Sequence, residues 1–449
     1  MNSVLNVAKF GGTSLATYST MGNCARIIAN NTNTKIVVVS ASAGVTNHLV
    51  ALANTALTSQ QIEAIVEKIK VIELAIVAKL KKPEQVSGKL NVLLIELTDL
   101  AKHEEINFRD DLKDALVSMG ERMSSLLFAA VLREFDISAT NFDVRKVLRT
   151  DSTFTQAAPN LAVIRRVAHA LLVPELYNSV IVTQGFVGAD EQGRTTTLGR
   201  GGSDFTAALL AEAIDAQTCE IWTDVLGVYT TDPRITGKAS PLPELSFEEA
   251  AEMATFGAKV LHPATMEPAL RQDIKVFVGS SREPEKGGTW IVRDCVHQPA
   301  YRAITRRKDQ VMVTVKTPKM MYAQGFLQRV FTIIAKHKLS VDLVTTSEIS
   351  VSFTLDNPPN SVSEKMNKET LAELTTICDV TIEQGYDVVT VVGNNMHSSA
   401  GVSSKIFEAV TDFNLRMICF GANPHNLSFV VSNTDSEAVV KVLHKALFE

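Results

Sequence analysis

Thr195-Thr196-Thr197-Leu198-Gly199-Arg200-Gly201-Gly202-Ser203-Asp204 gathers one cation, one carboxylate, four hydroxyls and three glycines. It runs directly into an apolar helical stretch, Phe205 to Ala211. Glycines let a backbone come close to a ligand, and a helix N-terminus offers unpaired N–H groups to an anion. A turn capped by Ser203 or Asp204 would explain part of this pattern. A second glycine loop makes that explanation insufficient: the alternating strand Val4-Leu5-Asn6-Val7-Ala8-Lys9-Phe10 leads straight into Gly11-Gly12-Thr13-Ser14. Two strand-to-loop anion sites, one with Lys9 and the other with Arg200 and Asp204, point to phosphate chemistry.

Outward from these loops, a second apolar strand, Lys35 to Ser40, ends in Ala41-Ser42-Ala43-Gly44-Val45-Thr46. Residues 60–135 read as helices only. Ile62, Ile65, Val66, Ile69, Ile72, Ile76 and Leu80 share one helical face. Pro83 and Gly88 interrupt the pattern, Leu90, Leu93, Leu94, Leu97 and Ala101 resume it, and another helix starts near Gly120. Strands return at 179–186, 218–222 and 275–278. Buried strands separated by helices predict an α/β fold, a three-layer α/β/α arrangement with a largely parallel sheet. In such a sheet the strand ends carrying Gly11, Gly12, Ser40, Gly44, Gly201 and Gly202 gather along one edge, where ligands bind. No G-x-x-x-x-G-K-[ST] motif occurs, and Asp204 replaces the third glycine of a dinucleotide fingerprint.

At 449 residues the chain has room for roughly three domains. With 45% hydrophobic and 21% charged residues it has the composition of a soluble globular protein. The net charge of −5 argues against nucleic acid or an anionic membrane as partner. No apolar run reaches the roughly 18 residues of a membrane span. The five cysteines form no CxxC pair and no metal spacing, and no secretion signal opens the chain, so the cytoplasm is expected.

The C-terminal third repeats itself at a shift of 76 residues: Val313-Thr314-Val315 matches Val389-Thr390-Val391, and Gly325 matches Gly401. Val330-Phe331 matches Ile406-Phe407, Leu339 matches Leu415, and Val351, Phe353 and Leu355 match Leu427, Phe429 and Val431. The last set keeps the period of two of a strand. Each copy reads as strand, loop, helix, strand, strand and closing helix, which makes a structural duplication. Asn357-Pro358-Pro359-Asn360 interrupts the first copy as a loop.

Lys9-Phe10-Gly11-Gly12-Thr13-Ser14, the 197–204 segment, Trp222-Thr223-Asp224 with Gly227-Val228-Tyr229-Thr230-Thr231-Asp232-Pro233-Arg234, and Phe256-Gly257-Ala258-Lys259 resemble the motifs of aspartokinases. That family has the amino-acid-kinase fold, and the repeated region resembles its tandem ACT domains, which are ferredoxin-like βαββαβ units. The match covers nearly the whole chain and is best with the lysine-sensitive, single-function type. The resemblance implies a catalytic domain over 1–293 with a helical lobe at about 60–135, a first ACT domain over 305–385 and a second over 386–449, the two intertwined. It implies ATP with Mg²⁺ phosphorylating the β-carboxylate of L-aspartate to 4-phospho-L-aspartate.

Carried over residue by residue, Lys9 opposes the charge of the transferring phosphoryl group and Asp204 holds Lys9. Glu121 takes the substrate's α-ammonium and Arg200 its carboxylate, with Thr46, Ser40 and Ser203 as hydroxyl donors. Lys9, Gly11, Gly12, Gly201, Gly202, Thr223, Asp224, Tyr229, Arg234 and Lys259 resemble the nucleotide-binding set. Alone, Glu121 would read as a carboxylate answering a helix dipole; its setting in Met119-Gly120-Glu121-Arg122-Met123 gives it the functional role. Met320, Ala323, Gly325, Phe326, Leu327, Ser340, Val341, Asp342, Thr346, Ser347 and Glu348 match the effector-binding positions. Asp342 and Glu348 suit a cationic effector, L-lysine. Ala323 stands where the lysine-sensitive pattern carries a serine. Paired ACT domains imply at least a homodimer. The rival readings are another amino-acid carboxylate kinase of this fold and a non-catalytic amino-acid sensor.

Overall fold

The computed structural model describes residues 4–258, 261, 263–318, 320, 324–355 and 366–449. Lys259, Ala323 and the loop Asn357 to Asn360 lie outside the described residues. The chain divides into two compact units. The first comprises Met1–Val228, Pro241–Phe247 and Lys259–Cys295; the second comprises Tyr229–Ser240, Glu248–Ala258 and Val296–Glu449.

The first unit is built on strands β1 (Asn6–Phe10), β2 (Thr34–Val39), β3 (Ala139–Phe142), β4 (Val180–Gln184), β5 (Val187–Ala189), β6 (Thr195–Thr197), β7 (Thr218–Thr223), β8 (Glu244–Ser246), β9 (Lys275–Ser280) and β10 (Gly288–Val292). Eight of them form one sheet in the order β3-β4-β2-β1-β7-β9-β10-β8, and β5 and β6 pair as a ribbon. All sheet pairings are parallel except β9 with β10, in agreement with the largely parallel sheet of buried strands expected from the sequence. β1 lies between β2 and β7 and is buried along its length. Its C-terminal end, carrying Lys9, therefore sits in the middle of the sheet edge. Phe10 packs against Phe128 and Trp222, with ring centroids 5.7 and 6.5 Å apart.

The helical lobe contains Ser59–Val77, Glu84–Ala101, Asp110–Val117 and Met119–Glu134. Its apolar stripe at 66, 69 and 76 is buried, as the spacing predicts. The run Asp110–Glu134 is long and apolar enough to span a membrane by length and composition, yet 83% of its apolar window is buried inside the fold. It is a core helix pair.

The second unit holds β11 (Ala303–Lys316), β12 (Val341–Thr346), β13 (Ser350–Leu355), β14 (Asp379–Val392), β15 (Met417–Phe420) and β16 (Asn426–Ser432), ordered β12-β13-β11-β14-β16-β15. The two central strands are each 14 residues long and antiparallel. Val313 pairs with Ile382 and Arg306 with Val389, two pairs that the 76-residue shift interchanges. The hydroxyls of Thr314 and Ser352 meet at 2.8 Å, and those of their repeat equivalents Thr390 and Ser428 also meet at 2.8 Å. Gly325 and Gly401 open equivalent helices with φ of 78° and 83°. Each half is thus a βαββαβ unit. Its fourth strand comes from the far end of the other half's first strand: 379–383 for the first copy and 303–307 for the second. Helices Phe326–Lys336 and Lys368–Thr375 cover one half; Val402–Ala409 and Ser436–Phe448 cover the other.

Candidate active site

Lys9 Nζ lies 2.6 Å from Asp204 Oδ1, and the two side chains are only 11% and 15% exposed. Lys9 comes from the central strand, and Asp204 from the first turn of the helix Gly202–Ala213, which starts at Gly201 with a φ of 74°. The 199–204 loop thus brings its carboxylate to the end of β1. A Cβ added at Gly11 would stand 3.8 Å from the Lys9 ammonium. A side chain at residue 11 would therefore lie against that ammonium.

Glu121 lies in the first turn of the helix Met119–Glu134 and is buried. Its Oε1 accepts the Ala41 N–H at 3.1 Å. Burial pushes its carboxyl up to about 7, against the opposing effects of the Ala41 and Glu121 N–H groups and the charge of Lys9. Lys9 therefore influences both acids. The helix comes this close because residue 120 is glycine: a Cβ there would be 2.6 Å from that of Ala41. Ser124, one turn on, donates to the Ser40 carbonyl at 2.7 Å. Thr46 is exposed in the first turn of Val45–Asn54. Arg200 is exposed and makes no ion pair among the described residues. Ser203 is half-buried beside Asp204. A buried ammonium held by one acid, a second acid, and an exposed guanidinium nearby in sequence can bind a zwitterion and a phosphate together.

The end of β7 is tied to this edge. Gly11 N–H donates to the Trp222 carbonyl at 3.0 Å, and Thr223 Oγ1 donates to Asp224 at 3.3 Å. Thr223 and Asp224 are the nucleotide candidates of the first unit, with Gly11, Gly12, Gly201 and Gly202. Tyr229 and Arg234 fall in the second unit, where Arg234 is 89% exposed and pairs with Asp232 at 2.7 Å. Of the effector positions, Asp342 pairs with Arg307 at 3.0 Å. Phe326 is buried, and Met320 packs on the same core. Val341 is half-buried, while Leu327, Ser340, Thr346, Ser347 and Glu348 are exposed. Gly325 caps the helix that follows it.

Two of the buried acids that the sequence reading did not name lie in the helical lobe, Asp114 and Glu73. Asp114 accepts from Thr155 N–H (2.9 Å), Thr197 N–H (2.8 Å) and Thr197 Oγ1 (2.8 Å), so it anchors the strand leading into the glycine loop. Burial pushes its carboxyl up to about 6, with the three hydrogen bonds opposing. Glu73 is fully buried and accepts from Ser42 Oγ at 3.3 Å. The readable signal was Glu73's place, four residues after Ile69 and three before Ile76, on the buried stripe.

The sequence pattern of the amino acid kinase family matches residues 5–280, and that of the ACT domain matches residues 389–447. The lysine-sensitive aspartokinase 3 of Escherichia coli is 46% identical over 99% of this chain and 99% of its own length. Crystal structures of E. coli aspartokinase III superpose over 99% of this chain and 100% of theirs. The complex with aspartate and ADP, in the R-state, gives a TM-score of 0.91 at 46% identity. The complex with lysine and aspartate, in the T-state, gives 0.85 at 47% identity. A parallel sheet with a lysine–aspartate pair at its edge, a duplicated ACT-type sheet and this full-length similarity lead to one conclusion: the chain belongs to the aspartokinases of the amino acid kinase family.

Proposed function

We propose that the first unit transfers the γ-phosphoryl group of ATP to the β-carboxylate of L-aspartate, giving 4-phospho-L-aspartate and ADP. The Lys9–Asp204 pair carries this reading. A carboxylate is already an anionic nucleophile, so no general base is required, and the protein's work is positioning and charge neutralisation. One β-carboxylate oxygen forms the new P–O bond while the bond to the ADP oxygen breaks. Lys9, fixed by Asp204, faces the phosphoryl oxygens as their charge shifts. Glu121 receives the α-ammonium and Arg200 the α-carboxylate; Thr46, Ser40 and Ser203 add hydroxyl contacts. Gly11, Gly12, Gly201, Gly202, Thr223 and Asp224 admit the nucleotide.

Among the described residues no group of three metal-ligating side chains exists. That fits Mg²⁺, which is commonly held by one or two carboxylates together with substrate phosphates. Asp204 would hold it, and the ion would neutralise phosphate charge when bound.

The duplicated unit is read as an L-lysine sensor that inhibits the enzyme and pairs the chain with a second copy. Asp342 is the acid for the effector's side-chain ammonium, and Arg307 is its present partner. The domain limits proposed are 1–293, 305–385 and 386–449, and the proposed compartment is the cytoplasm. ADP release measured with and without aspartate and Mg²⁺, with hydroxylamine trapping the acyl phosphate, tests the reading. Aspartate-dependent hydroxamate supports it; hydroxamate from glutamate alone, or from neither, contradicts it.

A further inference from the structure

The helices Met119–Glu134 and Ser59–Val77 each bring one buried acid to the loop Ala41–Gly44. Ala41 N–H donates to Glu121 Oε1 at 3.1 Å, and the next residue, Ser42, donates its hydroxyl to Glu73 Oε2 at 3.3 Å. Glu73 is 0% exposed, and its other oxygen, Oε1, has no hydrogen-bond partner among the described residues. A buried carboxylate oxygen without a donor is costly as an anion and far less so as an acid.

Among the described residues no cation pairs with Glu73. From the helix Met119–Glu134, Arg122 is turned to Glu96, at 2.5 and 2.9 Å. From Glu84–Ala101, Glu84, Lys89, Glu96 and Asp99 make no ion pair or hydrogen bond with Glu73, and neither does His48 from Val45–Asn54. The charged neighbour it does feel is Glu121. Lys9 favours the anion at Glu121, and so does the Ala41 N–H. Among the described residues Glu73 has the Ser42 hydroxyl alone.

We propose that Glu73 is a positioning residue of the ammonium subsite: in the resting enzyme the buried Glu73–Glu121 couple keeps a proton on Glu73, and the docking substrate ammonium expels it. The O–H bond of the Glu73 carboxyl breaks, the proton passes to solvent, and the ammonium replaces it as countercharge to two carboxylates. The charge of the subsite is unchanged by the exchange. Burial, reinforced by the charge of Glu121, pushes the Glu73 carboxyl up to about 8, which supports the same assignment. This inference rests on Glu121 being the ammonium acceptor.

Calorimetric titration of the full-length enzyme with L-aspartate, in buffers of different ionisation enthalpy at pH 8, counts the protons released. The wild type is expected to release roughly half a proton per aspartate, and Glu73→Gln about a tenth or less, with its affinity for aspartate lowered about fivefold or more by the lost countercharge. Equal release from both proteins would overturn the proposal, as would binding by the wild type with no release. Ser42→Ala serves if Glu73→Gln does not fold. Losing the one hydroxyl on the anion should move the release to higher pH, and an unmoved profile counts against Glu73. Failure of aspartate to bind the wild type at all would remove the substrate reading itself; binding without proton release removes only the role of Glu73.

Discussion

Lys9 Nζ and Asp204 Oδ1 stand 2.6 Å apart in a setting where both side chains are largely screened from water. Attraction between charges strengthens as water is excluded, and so does the penalty for leaving one of them alone. Asp204→Ala is expected to lower kcat by roughly 100-fold or more and to cost stability as well, about 3–5 kcal/mol if no water enters to compensate. Because the two residues act as a unit, Lys9→Ala with Asp204→Ala should lose less than the product of the single losses. Independent, multiplicative losses in the double-mutant cycle would show that the pair is not functional.

Glu121, proposed to receive the substrate ammonium, is expected to set the acid side of the activity profile. Its carboxyl is raised to about 7 by burial, so the anion is present above that pH and lost below it. The KM for aspartate should therefore climb about tenfold per pH unit once the pH is well below 7, with kcat changing less. Glu121→Gln should have a high KM that loses this tenfold-per-unit climb. A wild-type KM that does not vary between pH 5.5 and about 8 would mean that this acid does not meet the ammonium.

Asp114 is expected to matter for the loop rather than for the chemistry. Asp114→Ala strands the Thr155 and Thr197 donors, at a cost of about 1–3 kcal/mol for each one left without water. Urea denaturation should show the loss, and Asp114→Asn, which keeps an acceptor, should recover part of it. Full stability in Asp114→Ala would mean that solvent reaches those donors.

Asp342 tests the regulatory half. Asp342→Asn should raise the lysine concentration for half-inhibition by about tenfold or more while leaving uninhibited turnover within twofold. Inhibition by lysine that is unchanged in this variant would place the effector's ammonium elsewhere.

The parts of this molecule that were legible in the sequence are those encoded locally. Lys9 is followed at once by two glycines, and Asp204 is preceded by three within five residues, so both loops announce themselves. The duplication was legible to single positions because matched strands must keep their side-chain alternation, and the Thr314–Ser352 and Thr390–Ser428 contacts repeat it in space. Glu73 carried a signal only in its place on the apolar stripe, and Asp114 carried none, since an acid on a helix otherwise reads as solvent-facing until the packing around it is known. Arg307 was missed as the partner of Asp342 because the two sit on separate strands of the sheet. Tyr229 and Arg234 looked continuous with the β7 motif, yet the compact first unit pauses at Val228 and resumes at Pro241.

Aspartate-dependent ADP release by Lys9→Ala tests the central claim most directly. Loss of a preorganised charged donor is expected to remove about 2.7–4 kcal/mol of transition-state stabilisation, which lowers kcat by about 100- to 1,000-fold. The aspartate KM should stay within about threefold and the circular dichroism spectrum should be that of the wild type. A folded Lys9→Ala enzyme with turnover close to that of the wild type would contradict the account.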